Sequence, residues 1–493
     1  MRTTPRSRSN CQGLALLAAL LVAAAMLGIG AAQARAAHDQ STVFDPPGNQ
    51  LTGATSEHRN DMLDQIAATG SDTVRLLVYW RGYPPAPDEA DKPAGFDSAD
   101  PEDYPPHAFD SLDASVRGIT ERGMKVLMTP TTPVPRWASA GGKKGLNRPD
   151  PVEFGRFVRA LGERYSGECF CGSHEPLPRV DFWSVLNEPN LFLFLHPQFI
   201  HGRSVSGALY RGLFLSAQRA LDASGHGSDP LLIGETAPSP GTMSTTPLQF
   251  LRDVFCLDRS YKRVRHCAPI HAAGWAQHPY LPGIPPWVVP AQRNYIAIGS
   301  ISRLTRALQR AYRAGATATR LPVWITEFGI ESYPEPSNRF GEPPLRQAEF
   351  LGISEYLLWR NPQVDAFGQY LLTDDPGKYN YLAFQTGLRW ANGKAKPAYS
   401  SFPMTLVARR IGSGEVVLWG HVRPGAGVRQ VELSARDGPD QPAYTLANAY
   451  TNDDGYFHLI APDRSGREFR ATTVSAGRLL LGPFIRSYRF PVG

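Results

Sequence analysis

Eight short apolar segments, separated by longer segments of helical periodicity, follow one another between about residues 40 and 400 of the 493-residue chain. Parallel strands can be joined only through a crossover connection, so alternation of this kind is typical of βα units and a parallel sheet. The predicted strands are Thr42–Phe44, Thr73–Tyr79, Lys125–Thr129, Val180–Leu186, Leu231–Gly234, Ala272–Ala276, Val323–Thr326 and Asp365–Leu372. The pattern therefore predicts an α/β fold.

The intervening segments have the periodicity of amphipathic helices, and several end at a glycine, as a helix stop predicts. These predicted helices are Ser56–Thr69, Phe109–Arg122, Pro151–Tyr165, Ala208–Ala223, Ile301–Ala314 and Leu345–Trp359. Eight units in about 360 residues fit a TIM (β/α)8 barrel better than a doubly wound sheet, and no glycine-rich phosphate-binding motif follows the first strand. We predict a barrel domain over residues 37–404, with its chemistry at the carboxyl ends of the strands.

The sequence pattern changes after Met404, where short alternating runs are separated by Gly, Pro, Asp and Asn. The predicted strands of this region are Glu415–His421, Val428–Ser434, Tyr444–Tyr450, Tyr456–Ala461 and Phe469–Val474. The turn Asn452-Asp453-Asp454-Gly455 is a β-hairpin signal. Residues 405–493 are therefore predicted to form a small C-terminal all-β sandwich domain.

The first 36 residues have the organisation of a secretory signal peptide. Arg2, Arg6 and Arg8 precede an apolar stretch that runs from Gly13 to about Gly30, and Ala34-Arg35-Ala36 supplies a small-residue cleavage site. Cleavage after Ala36 predicts a secreted, extracellular protein. The alternative is an uncleaved membrane anchor, because an apolar stretch of about 18 residues approaches spanning length.

The charge of the mature chain argues against nucleic acid as a partner. Residues 1–36 contain four arginines and no acid, so their removal lowers the formal net charge from +6 to about +2. No stripe of Lys and Arg residues remains that would indicate a nucleic-acid surface.

Four cysteines remain in the mature chain, and exported thiols of this kind suggest disulfides with three possible connectivities. Cys256 and Cys267 bracket a loop of ten residues and are the favoured pair, which leaves Cys169 and Cys171 as the second pair. A zinc site that combines these cysteines with His266 fits no common ligand spacing.

Two glutamates stand at the ends of predicted strands that face each other across the barrel mouth. The fourth strand ends in Asn187-Glu188-Pro189, and the seventh ends in Thr326-Glu327-Phe328. A buried carboxylate costs several kcal/mol unless it is paired or has a task. Paired carboxylates across one gap perform glycoside hydrolysis, in which one donates a proton and the other attacks the sugar or activates water.

The segments "WSVLNEPN" and "VWITEFGIES" resemble clan A of the glycoside hydrolases, and the likeness lies nearest families 5 and 39 over about residues 40 to 402. The resemblance implies a retaining double displacement on a β-linked glycan, with no metal and no organic cofactor. Glu188 would be the general acid/base, Glu327 the nucleophile, and Asn187 the partner of the sugar 2-hydroxyl. The two carboxyl groups would lie about 5 to 5.5 Å apart.

Further positions match the same families. Arg75 in "DTVRLLVYW" corresponds to the arginine beside the nucleophile, where its charge is expected to hold Glu327 ionised. His278 and Tyr280 in "WAQHPY" correspond to the group that hydrogen-bonds the nucleophile and lines the glycon subsite.

Two departures from these families leave the sugar and its linkage open. The third strand ends with Thr131 and Pro133, where family 5 cellulases have a histidine, and Tyr370 occupies the position at which many members have a tryptophan platform. Trp137 is a candidate platform for a sugar ring, with core packing as the alternative. Glu235 and Glu331 are further acids near the mouth, which we expect to close salt bridges.

Two other functions remain open from the sequence. One is a degenerate barrel that binds glycan or cell wall without turnover, and the other is a transglycosylase that shares the covalent intermediate.

Overall fold

The computed structural model describes residues 39–141, 144–172, 174–238, 243–264, 267–333, 340–376 and 384–492. The predicted signal peptide and His266 lie outside the described residues. Within the described ranges, none of the helices combines the length and apolar composition needed to cross a membrane.

Eight parallel strands close into a barrel in the order β1-β8-β7-β6-β5-β4-β3-β2. Almost all of their residues are buried and most of them are apolar, as expected of strands covered on both faces. The strands are β1 Ser41–Asp45, β2 Thr73–Tyr79, β3 Lys125–Thr131, β4 Phe182–Ser184, β5 Leu231–Thr236, β6 Gly274–Gln277, β7 Val323–Ile325 and β8 Val364–Tyr370. The predicted TIM barrel is confirmed.

Helices cover the outside of the barrel, and all except α5, which was not predicted, agree closely with the predicted ranges. They are α1 Ser56–Ala67, α2 Asp110–Glu121, α3 Pro151–Arg164, α4 Ser206–Ala223, α5 Pro247–Val254, α6 Ile301–Arg313 and α7 Pro344–Trp359. The Asp150 carboxylate caps α3 by accepting from two backbone N–H groups, and Pro151 occupies the first turn. Helices α3 and α4 pack so closely that a Cβ at Gly162 would lie 2.1 Å from Ser224 Oγ.

Several barrel strands, β4 and β7 among them, end before their predicted last residue. β4 ends at Ser184 rather than at Leu186, and β7 ends at Ile325. Leu186 adopts a left-handed φ of 54°, which is incompatible with continued strand geometry. The residues that follow β4 and β7 therefore form loops at the open end of the barrel.

The C-terminal region is an all-β domain, as predicted. Its strands pair as one mixed sheet in the order β12-β11-β14-β16-β9-β10-β13, with β15 added beside β14. The strands are β9 Met404–Arg410, β10 Glu415–Val422, β11 Gln430–Arg436, β12 Tyr444–Tyr450, β13 Tyr456–Pro462, β14 Glu468–Ser475, β15 Arg478–Leu481 and β16 Ile485–Tyr488. Strands β9, β15 and β16 are additional to the five predicted.

Helix α7 joins the barrel to the C-terminal domain through a buried interface. Trp419 on β10 is 1% exposed and packs against Tyr356, Trp359 and Tyr456. Beside this aromatic cluster, the Glu355 carboxylate accepts from Thr405 and from the imidazole of His421. The two domains therefore meet in a shared buried apolar cluster that includes Tyr356 and Trp419.

The favoured cysteine pair and the second pair are both bonded in the structure. Cys256 is bonded to Cys267, and Cys169 is bonded to Cys171. Both bridges staple loops at the end of the barrel opposite the mouth, because each loop lies between a helix and the strand that follows it.

Candidate active site

At the barrel mouth, two residues after β4 and one residue on β5 have strained, left-handed backbone conformations. Leu186, Glu188 and Glu235 have φ values of 54°, 42° and 48°. Left-handed conformations cost non-glycine residues about 1–3 kcal/mol each, and such strain clusters at functional sites. The carbonyl of Glu188 also accepts a hydrogen bond of 2.8 Å from Leu191 N, which fixes the turn that presents its carboxylate.

Arg75, on β2, is the centre of a buried polar network and is itself fully buried. Its guanidinium donates to Asp45 Oδ2 at 2.7 Å, to Glu327 Oε2 at 3.0 Å and to Asn187 Oδ1 at 2.8 Å. It also lies 3.2 Å from Glu235 Oε2. One cation therefore connects residues from the ends of β1, β4, β5 and β7.

His278, directly after β6, links the two mouth glutamates to a third carboxylate. Its Nδ1 lies 3.0 Å from Glu188 Oε1 and 3.4 Å from Glu327 Oε2, while its Nε2 lies 2.8 Å from Glu235 Oε2. The hydroxyl of Tyr280 donates to Glu327 Oε1 at 3.1 Å. The structure thus brings together the six residues predicted from the strand ends and the family resemblance.

The two glutamates face each other across a short gap. Carboxylate oxygens of Glu188 and Glu327 lie within 4.8 Å of one another. Both side chains stay partly accessible, at 14% and 12% exposure, whereas Arg75 and His278 are fully enclosed. Retaining glycosidases place their carboxyl groups about 5–5.5 Å apart and inverting enzymes about 6.5–9.5 Å apart.

The surroundings raise the pKa values of both Glu188 and His278, but for different reasons. Burial, together with the nearby charge of Glu327, raises the pKa of Glu188. Burial alone would lower the pKa of His278, but the carboxylate of Glu327 and the hydrogen bonds to Glu188 and Glu235 outweigh it and raise this pKa to about 10. The imidazole is therefore a cation at neutral pH, and it faces both mouth glutamates.

Glu235 and Asp45, the other two buried acids of the site, have pKa values shifted in opposite directions. Burial would raise the pKa of Glu235, but the charge of Arg75 and the bond to His278 hold it at about 2. Burial raises the pKa of Asp45 to about 8 even though Arg75 opposes the shift. Glu235 forms salt bridges with Arg75 and His278, as expected. Thr326 also donates to Glu235 at 2.6 Å, so Glu235 has more contacts that stabilise its anionic form than Asp45 has.

The two predicted platform residues have different surroundings. Tyr370 ends β8, packs edge-on to Phe384, and has a pKa raised well above the ordinary value by burial and by Glu327. Trp137 is half-buried among other side chains, with Trp80 at 5.7 Å, Phe96 at 6.0 Å and the ammonium of Lys92 at 5.5 Å. These contacts favour packing as the role of Trp137.

Sequence reasoning missed Asp45 as a member of the site. The predicted first strand stopped at Phe44, but β1 continues by one residue, so that Asp45 stands at a strand end like Glu188 and Glu327. The rule that located those two glutamates would have located Asp45 if the strand had been extended by one position. The backbone N–H of Asn187 also donates to Thr131, which explains a polar residue at the end of β3.

Three side chains of the site have the composition of a metal-binding group. Glu188, His278 and Glu327 each offer a ligand atom, and these atoms lie within 4.8 Å of one another. A metal would have to displace the proton from His278, whose pKa of about 10 opposes binding at neutral pH. The donor set therefore fits proton transfer better than it fits a resident cation.

No protein-family model matches the chain, and no curated protein sequence matches it. Among solved structures, the chain is similar to a family 51 α-L-arabinofuranosidase from Bifidobacterium longum, at 12% identity over 89% of this chain and 97% of that one, with a TM-score of 0.47. Nothing about activity follows from this. The barrel fold is assigned from the strand pairing within this chain.

Two further similar structures are glycosidases. One is the exo-β-1,4-mannosidase of Opitutaceae bacterium strain TAV5, at 13% identity over 74% of this chain and 59% of that one, with a TM-score of 0.45. The other is a family 1 β-glucosidase from Thermotoga maritima, at 16% identity over 72% of this chain and 89% of that one, with a TM-score of 0.41.

Proposed function

We propose that this protein is a retaining glycoside hydrolase that cleaves β-linked glycosidic bonds through two glutamates. The observation that carries the proposal is the pair Glu188 and Glu327, whose carboxylate oxygens lie within 4.8 Å of one another at a partly open barrel mouth. This gap is too short for a water between the attacking carboxylate and the sugar, as inversion requires, and it suits direct attack.

In the first step, Glu327 attacks the anomeric carbon while Glu188 protonates the departing oxygen. The contacts support this division of labour. Arg75 and Tyr280 donate to the two oxygens of Glu327 and hold this carboxylate in place for attack. Burial raises the pKa of Glu188, which favours a protonated acid.

In the second step, Glu188 acts as a base and activates a water against the glycosyl ester of Glu327. Protonated His278 lies within 3.4 Å of both carboxylates and stabilises negative charge on whichever of them is ionised. Asn187, held by Arg75, is the proposed partner of the sugar 2-hydroxyl. These residues perform the proposed chemistry without drawing on any other group.

We also infer that the protein is exported and that residues 1–36 are its signal peptide. Two cysteine pairs support an oxidising destination, because disulfides persist outside the cytosol. The charged start, the apolar stretch and the small-residue end of this segment support cleavage after Ala36.

A screen of aryl β-glycosides and polysaccharides tests the proposed function. We expect release of reducing sugar by the wild type and loss of about 10⁴-fold or more of kcat in Glu327→Ala, with unchanged thermal unfolding. Glu331→Gln is the matched control, because Glu331 lies four residues further on and accepts a backbone hydrogen bond that glutamine also accepts.

The other outcomes discriminate the competing functions. Glycan affinity without turnover indicates a binding barrel, and transfer of the sugar to an acceptor sugar rather than to water indicates a transglycosylase. Full activity in Glu327→Ala would contradict the proposed function.

A further inference from the structure

The loop that follows Glu188 is apolar to an unusual degree for a surface connection. Residues 191 to 195 read Leu-Phe-Leu-Phe-Leu, and within this run only Leu195 is fully buried. Leu193 is 47% exposed, and the remaining three residues are half-buried. Surface loops are ordinarily polar, and contiguous exposed apolar side chains mark places where a ligand or another surface binds.

The backbone of this loop is held by internal hydrogen bonds. Phe194 N donates to Leu191 O at 3.1 Å, which follows the turn at Glu188. Polar side chains from outside the loop complete the network: Thr132 donates to Phe194 O, Ser244 accepts from Phe192 N, and Gln198 donates to Pro189 O and Leu195 O, at 2.6 to 3.0 Å. The apolar side chains are thus presented by a preformed backbone.

Neighbouring loops of the same barrel end add aliphatic surface. Met243 in the loop after β5 is 61% exposed, and Ile284 and Val289 after β6 are 40% and 51% exposed. Thr245 N donates to Asn190 O at 3.0 Å, which ties the β5 loop to the loop that contains Leu193. Exposed aliphatic side chains therefore continue from the Leu193 loop toward the loop of Met243.

The loop of Leu193 begins directly after the turn at Glu188, so the proposed function assigns it a place beside the leaving group. Glu188 protonates the leaving oxygen, so the loop that continues from Glu188 flanks the leaving group. The opposite side holds the hydroxyls of Tyr280 and Tyr370 beside Glu327, which suit a sugar. Sugar rings stack on flat aromatic faces, but the two phenylalanines of the loop are half-buried, and the exposed side chains are aliphatic, which matches a flexible hydrocarbon chain.

We propose that the substrate is a β-glycoside whose leaving group is a long aliphatic chain, so that the protein releases a sugar from an alkyl or lipid alcohol. This inference rests on the proposed function and names its substrate class. The bond between the anomeric carbon and the alkyl oxygen breaks as the bond to Glu327 forms, and the alkyl oxygen leaves as the alcohol with the proton of Glu188. Water then attacks the anomeric carbon, the bond from that carbon to Glu327 breaks, and Glu188 takes a proton from the attacking water.

Hydrolysis of butyl, octyl and dodecyl β-glycosides, used as monomers, tests the inference with the sugar chosen from the aryl-glycoside screen. Full burial of a methylene contributes about 0.8 kcal/mol, equal to about fourfold, so we expect kcat/KM to rise by about two- to fourfold per methylene until the surface is covered. An oligosaccharide of the same sugar should be a poorer substrate than the octyl glycoside.

Leu193→Asn and Met243→Asn should each flatten the dependence of kcat/KM on chain length. Leu479→Asn is the matched control, because Leu479 is 67% exposed on β15 of the C-terminal domain and should leave that dependence unchanged. Turnover of aryl glycosides without any effect of chain length, or a preference for the oligosaccharide, overturns this inference and leaves the proposed function standing. Failure to hydrolyse any glycoside overturns both.

Discussion

Two buried clusters in this molecule are built from the same three kinds of side chain, yet they differ in their charge balance and accessibility. One cluster lies at the barrel mouth and the other at the interface with the C-terminal domain. The mouth cluster contains Arg75, Glu235 and His278, and the interface cluster contains Arg423, Glu355 and His421.

The interface cluster is closed, because its three side chains are between 1% and 5% exposed. At the mouth, Asp45, Glu188 and Glu327 add three carboxyl groups, and the last two remain partly accessible. Charge is therefore nearly balanced at the interface, whereas acids outnumber the cations at the mouth. An excess of carboxyl groups and an opening, rather than a buried ion pair as such, therefore distinguish the proposed active site from the structural cluster at the interface.

The largest expected difference between the clusters is in catalysis. Glu188→Ala should lower kcat/KM by about 10²–10⁴-fold for glycosides with poor leaving groups, because the departing oxygen is no longer protonated. The loss should be much smaller for a dinitrophenyl glycoside, which needs no acid, and azide should restore the second step. Equal losses for good and poor leaving groups would contradict the role of Glu188.

The interface cluster, by contrast, should contribute to the free energy of unfolding rather than to catalysis. Glu355→Ala leaves Arg423 without its buried carboxylate and should lower the free energy of unfolding by about 3–5 kcal/mol, measured by denaturant titration. Activity per folded molecule should be unchanged. Loss of activity without loss of stability would break the proposed distinction between the clusters.

The histidines of the two clusters should have pKa values shifted in opposite directions. Burial and the neighbouring Arg423 lower the pKa of His421, whereas carboxylates raise that of His278 to about 10. Nitrogen NMR at pH 7 should therefore show a neutral His421 and a protonated His278. Glu235→Gln should lower the pKa of His278 by about one unit or more, and no change would show that Glu235 does not maintain the imidazolium.

The smallest expected effect is the acid sensitivity that His421 contributes. Its folded pKa lies below the unfolded value of 6.5, so the unfolded chain binds this proton first and stability falls as the pH drops below about 6.5. His421→Asn should reduce the slope of unfolding free energy against pH, between pH 6.5 and 5, by up to about 1.4 kcal/mol per pH unit. An unchanged slope would contradict a neutral buried His421.

The barrel could be predicted from the sequence because its strands are continuous apolar runs and its helices have clear periodicity. Glu188 and Glu327 could be located because a polar residue directly after such a run is conspicuous. Asp45 was missed through a strand end set one residue short. Strand β9 was missed because Met404–Arg410 is buried over most of its length and lacks alternation, and β15 and β16 are only four residues long.

The contacts of Arg75 and His278 could not be predicted in detail, because they depend on how the ends of five strands are brought together in three dimensions. Glu235 illustrates the limit. The sequence suggested a salt bridge, but not that one oxygen would meet Thr326 and His278 and also lie beside Arg75. The strained φ at this residue likewise has no signature in the sequence.

Trapping the covalent intermediate on Glu327 tests the proposed retaining mechanism. The mature wild-type chain would be incubated with 2,4-dinitrophenyl 2-deoxy-2-fluoro-β-glycosides of the sugar that it hydrolyses, followed by intact-mass and peptide mass spectrometry. The proposed mechanism predicts one added fluoroglycosyl group, located on Glu327 and absent from Glu327→Ala. A label on any other residue, or turnover that inverts the anomeric configuration, would contradict it.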